Sequence, residues 1–230
     1  MTEPLHLAFL LFPDLTMLDL AGPAQVLSRL GDARLDFVAA TRDPVMTDTG
    51  LAVLPTATFA DVVRTDLLCI PGGMGIARVI EHDATMAWIA QVGGEARWVT
   101  SVCTGSLILG AAGLLRGHRA ACHWAWAHML PLFGAQAEAA RVVTDRNRVT
   151  GGGVTAGIDF ALTLMARLRG EAHARAVQLA LEYDPAPPFD AGSPGKAGTQ
   201  AVAAMRRRMD RLAPTREADL RAAALRRGFS

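Results

Sequence analysis

The sequence predicts an α/β fold with a mainly parallel central sheet. The short apolar runs "LHLAFLLF" (5–12) and "DLLCIPGG" (66–73) read as buried strands, and "RWVTSVC" (97–103), with the β-branched Val99, Thr100 and Val102, reads as a third strand. Longer segments of helical periodicity lie between them, and Pro, Gly or Asp closes several of the runs. Strands alternating with helices favour parallel pairing through crossover connections.

Element by element, Pro13 and Asp14 end the first strand. "LDLAGPAQVLSRLG" (18–31) follows as a helix, with Pro23 near its first turn and Gly31 as its stop. "LDFVAAT" (35–41) is strand-like, and "GLAVLPTATFAD" (50–61) fits a short hairpin or an irregular strand. The strand at 66–73 ends in Gly72–Gly73, residues 74–96 are mostly helical, and the strand at 97–103 ends at Cys103. A helix from Thr104 to Gly117 comes next, then a helix over 124–135 interrupted by Pro131. "RVVTDRNRVTGGG" (141–153) reads as a hairpin turning at Asp145–Asn147, and 155–170 as a long amphipathic helix. From about 185 the chain is too rich in Pro and Gly for a helix or an interior strand and reads as an extended strap. An Ala/Arg-rich helical tail covers 200–227, with Val202, Met205, Met209 and Leu212 in a stripe suited to packing. The division this suggests is a main domain over 1–195 and a basic extension over 196–230.

Composition narrows the function. The 230 residues are 51% hydrophobic and carry a formal net charge of +1, enough chain for a full core and no electrostatic footprint for nucleic acid over the body. The tail alone is basic, which fits a solvated helix face or, less simply, a nucleic-acid contact. No apolar stretch approaches the 18 or more residues of a membrane span, and the N-terminus reads as no signal peptide. Three cysteines at irregular spacing, without a C-x-x-C, argue against a disulfide framework or a zinc site and for a cytoplasmic protein with free thiols. The only lysine is Lys196, in a Gly-rich stretch, so Schiff-base chemistry is not expected.

Ligands of such sheets bind beyond the carboxyl ends of the strands, and two ends stand out. At the first, Cys103 sits on the joint between a β-branched run and a helix, with Gly105 just behind. A sharp strand-to-helix turn lifts its central side chain into the crevice, as in a nucleophile elbow. The helix N-terminus should favour thiolate over thiol there. The plainer reading is a small buried hydrophobe, and that reading suits Cys69 and Cys122, which lack such a setting. At the second end, the amides of Gly72 and Gly73 could hold a developing negative charge, or simply form a turn. Asp19, among Leu18, Leu20 and Ala21, could cap its helix; beside a thiolate in apolar surroundings its pKa should instead rise, leaving it able to carry a proton at neutral pH.

Taken together, "FLLFPDLTMLDLAGPAQVL", "LCIPGG", "WVTSVCTGSL", "HWAW", "VTGGGVTAGIDFAL" and "LEYDPAPPFDAGSP" resemble the DJ-1/PfpI superfamily, and within it the isocyanide hydratases, over about residues 5–195. The resemblance implies a flavodoxin-like sheet, of the class I glutamine amidotransferase type, sandwiched by helices. It implies a homodimer without cofactor that hydrates small-molecule isocyanides to N-substituted formamides; the absence of a metal site and of nucleic-acid or membrane partners is the expectation from composition. Carried over, Cys103 is the nucleophile, Asp19 the acid/base and Thr104 an active-site partner, with the Gly72, Gly73 and Thr104 region lining the oxyanion and substrate pocket. Many relatives place a glutamate where this chain has Asp19, and peptidase-like members follow the cysteine with histidine where it has Thr104, so a Cys-His pair is missing there. His123 could lie nearby or be structural. Two rival readings remain. AraC-type regulators carry a related domain followed by two helix-turn-helix motifs, for which the 35 or so residues after the strap are too few. Redox sensing or carbonyl detoxification would suit an exposed low-pKa cysteine equally well.

Overall fold

The computed structural model describes residues 4–229. In chain order its elements begin β1 (Leu5–Leu10), α1 (Met17–Leu27), β2 (Ala33–Ala39), β3 (Val45–Met46), β4 (Ala52–Val53), β5 (Ala57–Thr58) and β6 (Leu67–Ile70). Then come α2 (Ile76–Glu81), α3 (Asp83–Glu95), β7 (Trp98–Val102), α4 (Gly105–Ala111) and β8 (Arg119–Ala120). A 3₁₀ helix (Ala127–Phe133), β9 (Gln136–Ala137), β10 (Val142–Asp145), β11 (Arg148–Gly151), α5 (Ala156–Arg169) and α6 (Glu171–Ala180) follow. The chain closes with α7 (Pro194–Ala197), α8 (Thr199–Leu212) and α9 (Arg216–Arg226).

Seven strands form the central sheet in the order β10-β11-β7-β6-β1-β2-β5. Every pair is parallel except the β10–β11 hairpin. The central strands are buried on both faces: β6 is apolar and buried at all four positions, and β7 is buried at every position after Trp98, where Thr100 bonds the Leu68 carbonyl and Ser101 bonds the Ser106 hydroxyl. Helices flank the sheet in two groups, α1 with α5 and α6, and α2 with α3 and α4. Phe9, Phe133 and Phe160 are among the largest side chains buried completely between them.

Where the structure departs from the sequence reading, local chemistry explains it. Helix α1 spans Met17–Leu27, so Pro23 lies in its interior rather than near its first turn. The ring packs on α5, where a β-carbon at Gly157 would come within 3.1 Å of it. The stretch 74–96 is two helices broken at His82, whose extended backbone caps α3 with a side chain that accepts the Thr85 N–H. The helix after Cys103 ends at Ala111, not Gly117, and gives way to turns with Gly113 and Gly117 at positive φ. Around Pro131 the chain forms the 3₁₀ helix in place of an α-helix. In 50–61, β4 pairs antiparallel with β3, while β5 adds a parallel edge to the sheet. The tail is two helices, separated at 213–215 around Pro214, and the strap contains the one-turn helix α7.

The tail is docked on the body. Leu220, Ala223 and Ala224 of α9 are buried against α2 and the 3₁₀ helix. Phe229 meets Phe133 edge-on at 5.5 Å, and the Arg227 guanidinium donates to the Ile80 carbonyl.

Candidate active site

Cys103 occupies the turn between β7 and α4 with φ of 60°, a left-handed conformation uncommon for any residue but glycine. Two contacts hold it there. Its backbone N–H donates to the Gly151 carbonyl at 3.1 Å and the Gly152 carbonyl at 2.8 Å, at the end of the neighbouring strand. Behind it, Gly105 approaches the end of β6 so closely that a β-carbon would stand 2.2 Å from the Ile70 oxygen. The glycine therefore lets α4 start immediately after the cysteine. Cys103 is only 5% exposed and lies in the wall of a cavity of about 220 Å³.

Asp19 is the third residue of α1, not its N-cap, which is Thr16. Its side chain is completely buried. Oδ2 accepts the Gly72 N–H at 2.9 Å, and Oδ1 has no hydrogen-bond partner among the described residues. Burial pushes the Asp19 carboxyl up to about 7; the Gly72 amide and the Cys103 thiol pull the other way, and the Asp48 charge adds to the rise. The sequence expectation of a raised carboxyl pKa is therefore met. The expectation of a lowered thiol pKa is not. Burial drives the Cys103 thiol well above its ordinary value, the charges of Asp19 and Cys122 drive it further, and the Thr104 amide only partly offsets them. A seven-residue helix does not outweigh that desolvation. Cys103 and Asp19 compete for protons, and ionising one opposes ionising the other.

The two glycine amides are already engaged, which corrects the expectation that they stand open to an oxyanion. Gly72 donates to Asp19, and Gly73 donates to the Thr104 hydroxyl at 3.0 Å. A β-carbon on Gly72 would lie 2.6 Å from the Thr104 nitrogen and 2.9 Å from Asp19 Oδ2. Gly72 thus allows the acid, the thiol's neighbour and the glycine strand end to converge. Thr104 is 3% exposed, and its backbone amide favours the ionised form of Cys103. Behind them Ser101 and Ser106 bond at 2.8 Å, and Ser106 donates to the Ala121 carbonyl at 2.6 Å, fixing the 121–123 loop to the elbow. Cys69 and Cys122 are buried with thiols pushed up to about 12, as expected of packing residues.

Cys103, Thr104, Gly73 and His123 line the cavity together; Asp19 and Gly72 are not among its lining residues. The His123 Nδ1 accepts the Ala125 N–H at 3.3 Å, and burial, with the charge of Arg216, holds the ring's pKa down, so it is a neutral wall residue. Two larger cavities, of about 380 and 410 Å³, contain none of Cys103, Thr104 and Asp19. The sequence reading missed the rest of the wall, above all Met209, Leu212 and Arg216 from the tail and Trp126 from the 3₁₀ region. The apolar stripe over 202–212 signalled that the tail packs, but gave no sign that it packs over this site. Among the described residues no group of three His, Cys, Asp or Glu could hold a metal ion, and no helix is long and apolar enough to cross a membrane.

Residues 6–167 match the model of the DJ-1/PfpI family. The chain is 51% identical over 204 residues to the isonitrile hydratase of Pseudomonas putida, a match covering 89% of this chain and 90% of that protein. A crystal structure of a ThiJ/PfpI family protein from Pseudomonas syringae superposes with a TM-score of 0.89 at 44% identity, over 100% of this chain and 92% of that one. The HTH-type transcriptional regulator GbdR of Pseudomonas aeruginosa is 30% identical over 190 residues, which is 79% of this chain but 52% of the regulator.

Proposed function

The chain belongs to the DJ-1/PfpI family, and from that premise we propose that it is a hydro-lyase that converts isocyanides to N-substituted formamides. The observation that carries this reading is a fully buried carboxyl group, one oxygen without a hydrogen-bond partner among the described residues, set beside a strand-end thiol. The likeness to an isonitrile hydratase at 51% identity supports the choice of substrate class.

An isocyanide carbon must gain both a nucleophile and a proton. In the reading proposed, the Cys103–Asp19 pair holds one proton when active. It passes to the carboxyl as the sulfur ionises. The thiolate attacks the terminal carbon while Asp19 delivers its proton to the same atom, giving a thioimidate R–N=CH–S and a carboxylate. Water then adds to that carbon. Asp19 takes a proton from the water and passes it to nitrogen, giving the tetrahedral adduct R–NH–CH(OH)–S. Collapse expels the sulfur, forms the formamide carbonyl and returns the hydroxyl proton to the pair. One carboxyl thus serves as acid and then as base, and a pKa near 7 suits both halves. Thr104 contributes its amide to the sulfur, and its hydroxyl holds the Gly73 strand end in place.

We further propose that the protein works as a cytoplasmic homodimer without cofactor, and that residues 1–195 form the catalytic unit with 196–230 as an extension that completes the wall of the site. The test is formamide formation from an aryl isocyanide by the wild type, Cys103→Ala and Asp19→Asn. The expected result is loss of turnover in Cys103→Ala and a fall of orders of magnitude in Asp19→Asn. An active Cys103→Ala protein overturns the scheme. No turnover by a wild type whose Cys103 reacts with thiol reagents would favour a ligand-sensing role, the kind its likeness to the GbdR regulator suggests.

A further inference from the structure

Helix α9 brings to the cavity one charged group that the proposed mechanism does not use. Arg216 is 4% exposed and lines the same cavity as Cys103 and Thr104. Its guanidinium lies over the Trp126 ring, 4.3 Å from the centroid, and its side-chain hydrogen bond is to the Met74 sulfur at 2.8 Å. A thioether is a weak acceptor, and a guanidinium has five donors to satisfy. No carboxylate among the described residues lies within ion-pair distance of Arg216; its neighbour Glu217 pairs instead with Arg221 and His128. Arg216 is also the first residue of its helix, the end at which the helix dipole disfavours a cation. A buried guanidinium without a counter-charge is costly, and its place in a cavity wall supplies the reason to keep it.

The rest of the cavity limits what can lie against it. Met74, Trp126, Val154, Met209 and Leu212 make it largely apolar, and about 220 Å³ admits only a small molecule. Asp48 is the cavity's one carboxylate; it is exposed, and its Oδ1 accepts the Met17 amide.

We propose that Arg216 is the site for a substrate carboxylate, so that the preferred substrates are small isocyanides with an apolar body and an acid group. This deepens the hydratase reading and rests on it for the isocyanide end. The carboxylate end rests on Arg216 and the cavity alone. Arg216 would also favour an ionised Cys103, and the two roles differ in what they predict. Help to the thiolate aids every substrate equally, whereas a carboxylate site aids only acids.

The experiment compares kcat/KM for an isocyanobenzoate and its neutral carboxamide. A charge-assisted contact of ordinary strength predicts that wild type prefers the acid by about tenfold to a hundredfold. In Arg216→Gln the ratio should fall to about one. Arg216→Lys, which keeps the charge and loses the fork, should be intermediate, and Met209→Ala should keep the preference. A wild-type ratio of one, or equal loss on both substrates in Arg216→Gln, overturns the proposal. A binding measurement separates this from the hydratase reading. Calorimetry on Cys103→Ala should show the formamidobenzoate binding more tightly than its carboxamide, with the difference lost when Arg216→Gln is added. That result without any hydration by the wild type would sink the activity and leave the carboxylate site standing; equal binding of acid and amide would sink the site.

Discussion

Asp19 ties the chemistry to pH. Its carboxyl gains a proton at about 7 in the folded chain against 3.8 in the unfolded one. Between those values the native state binds more protons, so stability is greatest at the acid end of the window and declines as pH rises through it. The full difference is about 4 kcal/mol. Urea midpoints of wild type should therefore fall between pH 5 and pH 8 by more than those of Asp19→Asn; parallel declines would contradict the burial argument. Activity should run the opposite way. The active pair holds one proton, so kcat/KM should rise through about pH 7 as the second proton leaves, and Asp19→Asn should lack that limb. The residues at strand ends were legible from the sequence because a turn after an apolar run limits where a side chain can point, and Cys103, Thr104, Gly72 and Gly73 all lie at such ends. The rise of the Asp19 pKa was legible too, from its apolar neighbours, but the direction of the thiol's shift was not, because depth of burial decides it: the elbow that should have lowered the thiol pKa lies under the tail and the carboxyl.

Strand ends position the reacting groups only while β6, β7 and α4 keep their spacing. Gly105 sets that spacing, so Gly105→Ala forces a β-carbon against the Ile70 oxygen and must displace either α4 or the strand. We expect a loss of about 1–3 kcal/mol of stability, together with a larger loss of turnover, because Cys103 moves with the turn. A folded Gly105→Ala protein with full activity would show that the close approach is dispensable. At this scale the buried strands and the β10–β11 hairpin were readable from apolar runs and turn residues. The breaks were less so. His82 ends one helix and caps the next, which periodicity alone cannot separate from a continuous helix. Helix α6, over Glu171–Ala180, escaped the sequence reading; only Ala174 and Val177 are buried, too narrow an apolar stripe to mark it.

The whole molecule is a sheet core with a tail folded back across its reactive end. The tail's contribution is tertiary, and no local pattern announces it: Met209 and Leu212 read as a packing stripe, and Arg216 as one basic residue among many. Its anchor is measurable. Leu220 is completely buried, and Leu220→Ala should cost about 2–5 kcal/mol and raise amide exchange in α9 before the sheet. Exchange that rises uniformly would make the tail an inseparable part of the core. The central claim is that Cys103 carries the substrate covalently. The most direct measurement is the mass of wild-type protein quenched during turnover of an aryl isocyanide, with the modified peptide located. The account predicts a gain equal to the mass of the isocyanide, on Cys103. Formamide accumulating while Cys103 is never modified would contradict it.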